Sequence, residues 1–286
     1  MKIMEGGAIA AEIREEIKRE IDAGGIRPKL AAVLVGNDPA SAVYVRNKQR
    51  ACEEVGIESE VVKLDDTVSE EELLKIVREL NKDDGVNGII VQLPLPEQMN
   101  EKRVIEAIDP RKDVDGFHPM NMGFLLAGEP RFVPSTPLGI QVLLSRYGYE
   151  TDGKHVVIVG RSNIVGKPLA ALMLCKDANA TVTVCHSHTK NLSEITREAD
   201  ILVAAIGKAS MITADMVREG SVVVDVGINR IEDRTRKSGY RLAGDVDFDS
   251  VKDKVEAITP VPGGVGLMTV AMLMSNTLKA YRLQCE

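Results

Sequence analysis

The run His155-Val156-Val157-Ile158-Val159-Gly160-Arg161-Ser162-Asn163-Ile164-Val165-Gly166-Lys167-Pro168 decides how this chain is read. Its β-branched start predicts a buried strand over 155–159, and the Gly-rich stretch then turns into a helix over about 165–176. Such a turn suits a pyrophosphate. Glycine lets the backbone come close, and a helix N-terminus offers free N–H donors at the positive end of its dipole. The spacing is not Gly-x-Gly-x-x-Gly, so only half of the usual dinucleotide fingerprint is present, and a plain structural turn stays open as the alternative. A P-loop is excluded. Five residues separate Gly160 from Gly166, one too many, and Pro168 follows Lys167 where a magnesium-binding hydroxyl belongs.

The same alternation extends both ways. Downstream, strands are expected at 181–185, 201–205 and 221–225. Upstream they are expected at 30–35, 60–64 and 88–92, with helices at 39–55, 69–80 and from about 100. Short β-branched runs between amphipathic stretches predict an α/β protein of parallel sheets covered by helices. Residues 109–137 are rich in Pro, Gly and Asp without a sustained period, and are expected as a loop region and hinge. The charged stretch 228–242, carrying Ser238-Gly239, is expected as an exposed hairpin. Thr259-Pro260-Val261-Pro262-Gly263-Gly264-Val265-Gly266 forms a stiff turn before a closing helix over about 269–283. At 286 residues the chain has room for two domains, at roughly 100–200 residues each.

Composition narrows the function classes. A net charge of −7 argues against a nucleic-acid partner. No apolar run approaches the ~20 residues that span a bilayer, so no membrane role is expected. The first residues lack a signal-peptide core, which points to the cytoplasm. Four cysteines without a Cys-x-x-Cys spacing read as reduced thiols.

The end of the second strand of the later series refines the cofactor. An NAD site usually carries an acid there to hold the ribose 2′-hydroxyl. Here the run is Cys185-His186-Ser187-His188-Thr189-Lys190, without an acid. These groups together with Arg161 suit a 2′-phosphate, so NADP is expected rather than NAD. His186 and His188, at i and i+2 with no evident third ligand, are not read as a metal site, and no metal is expected.

In the first half, Asn37-Asp38-Pro39 is a good helix start. Ser41, Tyr44 and Lys48 then fall on one helical face. A phenol and an amine can meet a ligand there, although an exposed lysine on a solvated face satisfies the same spacing. Gln92 sits at the carboxyl edge of the third strand, where open α/β sheets bind ligands. Asp113 and Asp115 flank Val114 just before Gly116, as turn formers or as holders of a polar ligand.

Five ordered motifs now carry a specific resemblance over essentially the whole chain: residues 41–48, 91–96 (Val-Gln-Leu-Pro-Leu-Pro), 112–119 (Lys-Asp-Val-Asp-Gly-Phe-His-Pro), 160–168 and 259–266. The chain resembles the bifunctional methylenetetrahydrofolate dehydrogenase/methenyltetrahydrofolate cyclohydrolase family. The resemblance implies an N-terminal α/β catalytic domain of residues 1–137, closed by the C-terminal helix within 264–286. A Rossmann-like dinucleotide-binding domain would occupy 138–263. It implies that Lys48 is the catalytic lysine, that Tyr44 packs on the folate, that Gln92 is hydrogen-bonded near the lysine, and that Asp115 reads the pterin edge. Pro262, Gly263 and Gly264 match the folate-side loop. Gly160, Arg161, Ser162, Gly166, Pro168, Ser187 and Ile228 match the dinucleotide side. Two positions depart from the family pattern: Leu267, where proline usually follows Gly-Val-Gly, and Ser135, where cysteine is common.

The implied chemistry is oxidation of 5,10-methylenetetrahydrofolate to the methenyl cation, followed by hydration to 10-formyltetrahydrofolate. The hydride step asks chiefly for positioning. The hydration step needs proton transfer, for which Lys48 is the candidate. A catalytically silent, dinucleotide-sensing module is a rival of another class, which loss of Lys48, Gln92 or Asp115 would have favoured; the enzyme rival is a dehydrogenase for a hydroxy acid or amino acid. It would need a His–acid pair or a carboxylate-binding Arg, for which only His118 and Arg111 are at hand. A homodimer is the family habit.

Overall fold

A computed structural model describes residues 1–236 and 239–285, Ala40 for its backbone alone. Ser238, in the expected hairpin, lies outside the described residues. In chain order the elements begin β1 (Lys2–Ile3), α1 (Gly6–Gly24), β2 (Lys29–Val35), α2 (Pro39–Val55), β3 (Glu58–Leu64), α3 (Glu70–Lys82), β4 (Gly88–Val91) and α4 (Glu101–Ala107). They continue with α5 (Pro119–Ala127), α6 (Ser135–Arg146), β5 (His155–Val159), α7 (Gly166–Leu174), β6 (Thr181–Cys185), α8 (Leu192–Thr196), β7 (Ile201–Ala204) and β8 (Val222–Asp225). The last are β9 (Asn229–Glu232), β10 (Tyr240–Ala243), α9 (Phe248–Val251), β11 (Ala257–Ile258) and α10 (Val265–Cys285).

The chain forms two compact units, one of Met1–Ala10 with Thr136–Thr269 and one of Ala11–Ser135 with Val270–Glu286. In the second unit, β2 lies between β3 and β4 in a parallel three-stranded sheet, with Leu30 opposite Ser59 on one side and Gly88 on the other. Strand β2 is buried over Leu30–Val35 because both of its faces are covered. Helix α3 sets Leu73, Leu74, Val77 and Leu80 against Ala31, Val33, Ile89 and Val91, each large side chain contributing about 1.5–3 kcal/mol by leaving water. Ser69 caps α3 by accepting from Glu72 N, and Glu70, Glu71 and Glu72 occupy its positive first turn.

The first unit holds a six-stranded parallel sheet in the order β1-β11-β8-β7-β5-β6. The chain leaves β5 toward β6 and returns to β7 on the other side, so the strand order reverses at β5. In the smaller sheet the order reverses at β2, between β3 and β4. Ligands of open α/β sheets bind outside the carboxyl ends of strands at such reversals.

Three local features differ from expectation. Residues 109–137 are not all loop, because α5 occupies Pro119–Ala127 and α6 starts at Ser135. Helix α5 is apolar over most of its length, so it shows no amphipathic period. Its signals are Pro119 at the first helical position and Gly128 in the left-handed conformation at its end. The closing helix starts at Val265, where Val265 and Met268 are already buried, and so absorbs the end of the expected turn. Residues Lys2 and Ile3, expected with the catalytic domain, pair in parallel with Ala257 and Ile258 in the larger sheet. A two-residue strand is too short to show an alternation.

Candidate active site

Helix α2 is fixed at both ends. Asp38 accepts from Ser41 N at 2.7 Å, Pro39 opens the first turn, and Gly56 closes the helix at φ 85°. Tyr44 stands exposed on α2, and Lys48 follows one turn later, half-buried. Gln92, just past β4, donates its backbone N–H to Val33 O at 2.9 Å. Lys48 Nζ donates to Gln92 Oε1 at 3.2 Å, and Gln92 Nε2 donates to Leu93 O at 2.7 Å. Two elements that leave neighbouring strands at the sheet reversal thus bring an amine and an amide together.

The 112–119 motif separates into scaffold and candidate. Lys112 is buried and donates to Leu80 O at 3.2 Å and Asp83 O at 2.7 Å, with burial lowering its pKa. Asp113 is buried and accepts from Phe117 N at 3.3 Å, His118 N at 2.8 Å and Asn121 Nδ2 at 2.8 Å. Burial pushes its carboxyl above the ordinary range. Gly116 takes φ 74°, and a Cβ there would press on Pro134 N at 2.8 Å. These residues fold the loop. Asp115, half-buried, lines a small cavity with Ile90, Val91, Leu93 and Phe117. His118 Nδ1 accepts from Met120 N as the cap of α5, and Arg111 pairs with Asp109 at 3.0 Å. The two residues that a hydroxy-acid dehydrogenase would need are thus occupied in folding the loop.

In the other unit, β5 runs into Gly160 at φ 135°, where a Cβ would collide with Ala205 O. A Cβ on Gly166 would collide with Gly160 O, so both glycines are needed to close the turn. Ser162 Oγ accepts from Val165 N at 3.1 Å and Gly166 N at 3.4 Å. Arg161, Ser162 and Asn163 are exposed at the start of α7, with Pro168 buried in its first turn. Beyond β6, Ser187, His188 and Lys190 are exposed. His188 N donates to His186 Nδ1 at 3.2 Å, which engages that ring nitrogen in the turn. Hydroxyl, imidazole, ammonium and guanidinium groups without a carboxylate fit a phosphorylated ribose, and the glycine turn at a helix N-terminus fits a pyrophosphate.

Ile228 is 47% exposed just past β8. Pro262, Gly263 and Gly264 belong to this same unit and not to that of Lys48, Gln92 and Asp115. Gly263 takes φ 110° and its carbonyl accepts from Gly6 N at 2.8 Å. Of the two departures, Leu267 is exposed and Ser135 is buried at the first turn of α6. The sequence reading passed over Asp225 and Asp245, both buried. The signal was the pairing of each with a glycine, Gly227 and Gly244.

Residues 4–115 match the family described as tetrahydrofolate dehydrogenase/cyclohydrolase, catalytic domain, and residues 134–285 match the NAD(P)-binding domain of the same family. The bifunctional protein FolD of Salinibacter ruber is 56% identical over 285 residues, covering 99% of this chain and 96% of that protein. Among solved structures, the bifunctional FolD methylenetetrahydrofolate dehydrogenase/cyclohydrolase of Campylobacter jejuni aligns with a TM-score of 0.93 and 48% identity, covering 99% of each chain. The Trypanosoma brucei methylenetetrahydrofolate dehydrogenase-cyclohydrolase, solved with NADP and an inhibitor, aligns at 0.94 with 37% identity over 99% of this chain and 98% of that one.

Proposed function

The chain belongs to the tetrahydrofolate dehydrogenase/cyclohydrolase family, and from that membership we propose that it oxidises 5,10-methylenetetrahydrofolate to the 5,10-methenyl form with NADP, then hydrolyses that product to 10-formyltetrahydrofolate. The observation that carries this reading is the Lys48–Gln92 hydrogen bond at the carboxyl edge of β4.

NADP, when bound, supplies the acceptor for the hydride that leaves the methylene carbon. Arg161 and Ser187 are assigned to its 2′-phosphate and the Gly160–Gly166 turn to its pyrophosphate, with Ser162 and Pro168 shaping that turn and Ile228 on the same rim. Tyr44 offers an exposed ring to the flat folate, and the Asp115 carboxylate is an acceptor for the N–H edge of the pterin. Pro262, Gly263 and Gly264 are assigned to the folate-side loop.

Hydration follows from the chemistry of Lys48. Lys48 Nζ is the group that takes a proton from the attacking water as the water oxygen bonds to the one-carbon centre. The bond from that carbon to N5 then breaks and the ring opens, with one proton released overall. Gln92, its own N–H turned onto Leu93 O, presents an oxygen to the amine and so orients it.

No described helix is long and apolar enough to cross a membrane. We assign the enzyme to the cytoplasm, a reading supported by four free cysteines. A homodimer is supported by the open edge of β6 in the larger sheet, where Val184 is exposed. Its mass in solution tests this. The function itself is tested by incubating the purified protein with 5,10-methylenetetrahydrofolate and either NADP or NAD, following reduced cofactor and methenyl product separately. Reduction of NADP with little standing methenyl product is expected. No reduction of either cofactor overturns the reading.

A further inference from the structure

Past the ends of β7 and β8, beside the reversal at β5, several backbone N–H groups have no strand to pair with. Two buried acids accept them. Asp225, at the end of β8, accepts from Gly227 N, Asp245 N and Val246 N, each at 2.9 Å. Asp245, fully buried, accepts from Ile206 N at 2.5 Å and Gly207 N at 2.9 Å through Oδ2, and from Asn229 Nδ2 at 2.9 Å through Oδ1. A Cβ on Gly227 would collide with the Asp245 carboxylate, and one on Gly244 with that of Asp225. Glycine at both positions makes the room.

The two acids act in series. Asp225 fixes the backbone of Asp245, and Asp245 fixes the turn at 206–207 together with Asn229. That turn follows Ala205, whose carbonyl lies against Gly160, and Asn229 follows Ile228. All three segments border the rim assigned above to the dinucleotide. Buried carboxylates are costly unless each oxygen is hydrogen-bonded, and here both oxygens of both acids are. Loops held in place before a ligand arrives lose less entropy when it binds.

We infer that Asp225 and Asp245 are positioning residues for the dinucleotide: they hold the Gly160 turn, the 206–207 turn and the Ile228 loop in the arrangement that receives it. The inference rests on the NADP reading of that rim.

The test compares wild type, Asp245→Asn and the double variant Asp245→Asn/Asn229→Asp, which exchanges donor and acceptor and restores the bond. NADP binding is measured by calorimetry. Hydrolysis of methenyltetrahydrofolate, which needs no dinucleotide, reports the fold. Asp245→Asn is expected to weaken NADP binding about tenfold, the size of one hydrogen bond to a charged group, with hydrolysis retained and affinity recovered in the double variant. Unchanged affinity in the single variant overturns the inference, as does equal weakening in both. If Asp245→Asn also loses hydrolysis, Asn229→Ala tests the hold on the Ile228 loop, because it removes the bond to Asp245 Oδ1 and leaves both bonds to the 206–207 turn: weaker NADP binding with hydrolysis retained supports the inference, and unchanged affinity overturns it. Wild type that binds no NADP sinks the cofactor reading itself, a result distinct from the others.

Discussion

Lys48 Nζ and Gln92 Oε1 lie 3.2 Å apart, and the Gln92 amide is held at its other end by Leu93 O. The amine therefore faces an acceptor whose orientation is already set. Replacing Lys48 with methionine keeps an unbranched apolar stem, one atom shorter, and removes the proton acceptor. Hydrolysis of the methenyl substrate is expected to fall by about 10²–10⁴, the usual worth of a positioned base, while part of the hydride transfer survives because that step needs positioning alone. Following NADPH and methenyl product in one reaction checks this. Equal loss of both activities in a folded variant assigns Lys48 to substrate binding instead.

Much of the fold was legible because β2, β4, β5, β7 and β8 are short apolar runs buried on both faces, and such runs read as strands from sequence alone. The sequence reading placed β5 and β6 at their observed limits, and α2 announced itself through Asp38 and Pro39. Helix α5 was illegible because PMNMGFLLA carries no polar face, and β1 because it has two residues. At the site, Lys48 and Gln92 were proposed from helical spacing and a strand end, and they meet. Asp225 and Asp245 went unseen, since their partners are mostly backbone N–H groups and the glycines beside them, Gly227 and Gly244, read equally well as turn formers.

Gly160 tests whether the turn is built for closeness. Alanine there faces both a left-handed φ of 135° and a collision with Ala205 O. Gly153 also has a positive φ, 67°, with nothing within 4 Å of an added Cβ. Gly153→Ala is expected to cost about 1 kcal/mol, the lower end of backbone strain. Gly160→Ala is expected to exceed about 3 kcal/mol and to weaken NADP binding. Urea unfolding of both variants measures the difference, and equal losses would mean that the Ala205 contact yields freely.

Arg161 is exposed at the start of α7, and Ser187 is exposed past β6. A guanidinium adds little to binding a ribose that lacks a phosphate, but it is a strong partner for the 2′-phosphate. Arg161→Ala is expected to raise the KM for NADP about tenfold or more, as one or more charge-assisted hydrogen bonds are lost. The KM for NAD should stay near its wild-type value. The ratio of kcat/KM for the two cofactors is the measurement, and a parallel loss for both would assign Arg161 to the pyrophosphate.

Asp225 gives the pH prediction. Its burial pushes the carboxyl up to about 6, against three backbone N–H donors that pull it down and with the nearby Asp245 charge adding to the rise. In the unfolded chain the same group titrates near 3.9. Between about pH 4 and pH 6, therefore, the folded protein keeps a proton that the unfolded chain has released. This contribution to stability is fully present below about pH 4 and is lost as pH rises through about 6, a change on the order of 3 kcal/mol. Asp225→Asn removes the titration and leaves the other acids, Asp113 among them, to cancel in the comparison. Urea unfolding of both proteins at pH 4.5 and pH 7 should show wild type losing ground to the variant at the higher pH. A difference independent of pH would mean that the three N–H donors outweigh burial and keep Asp225 ionised throughout.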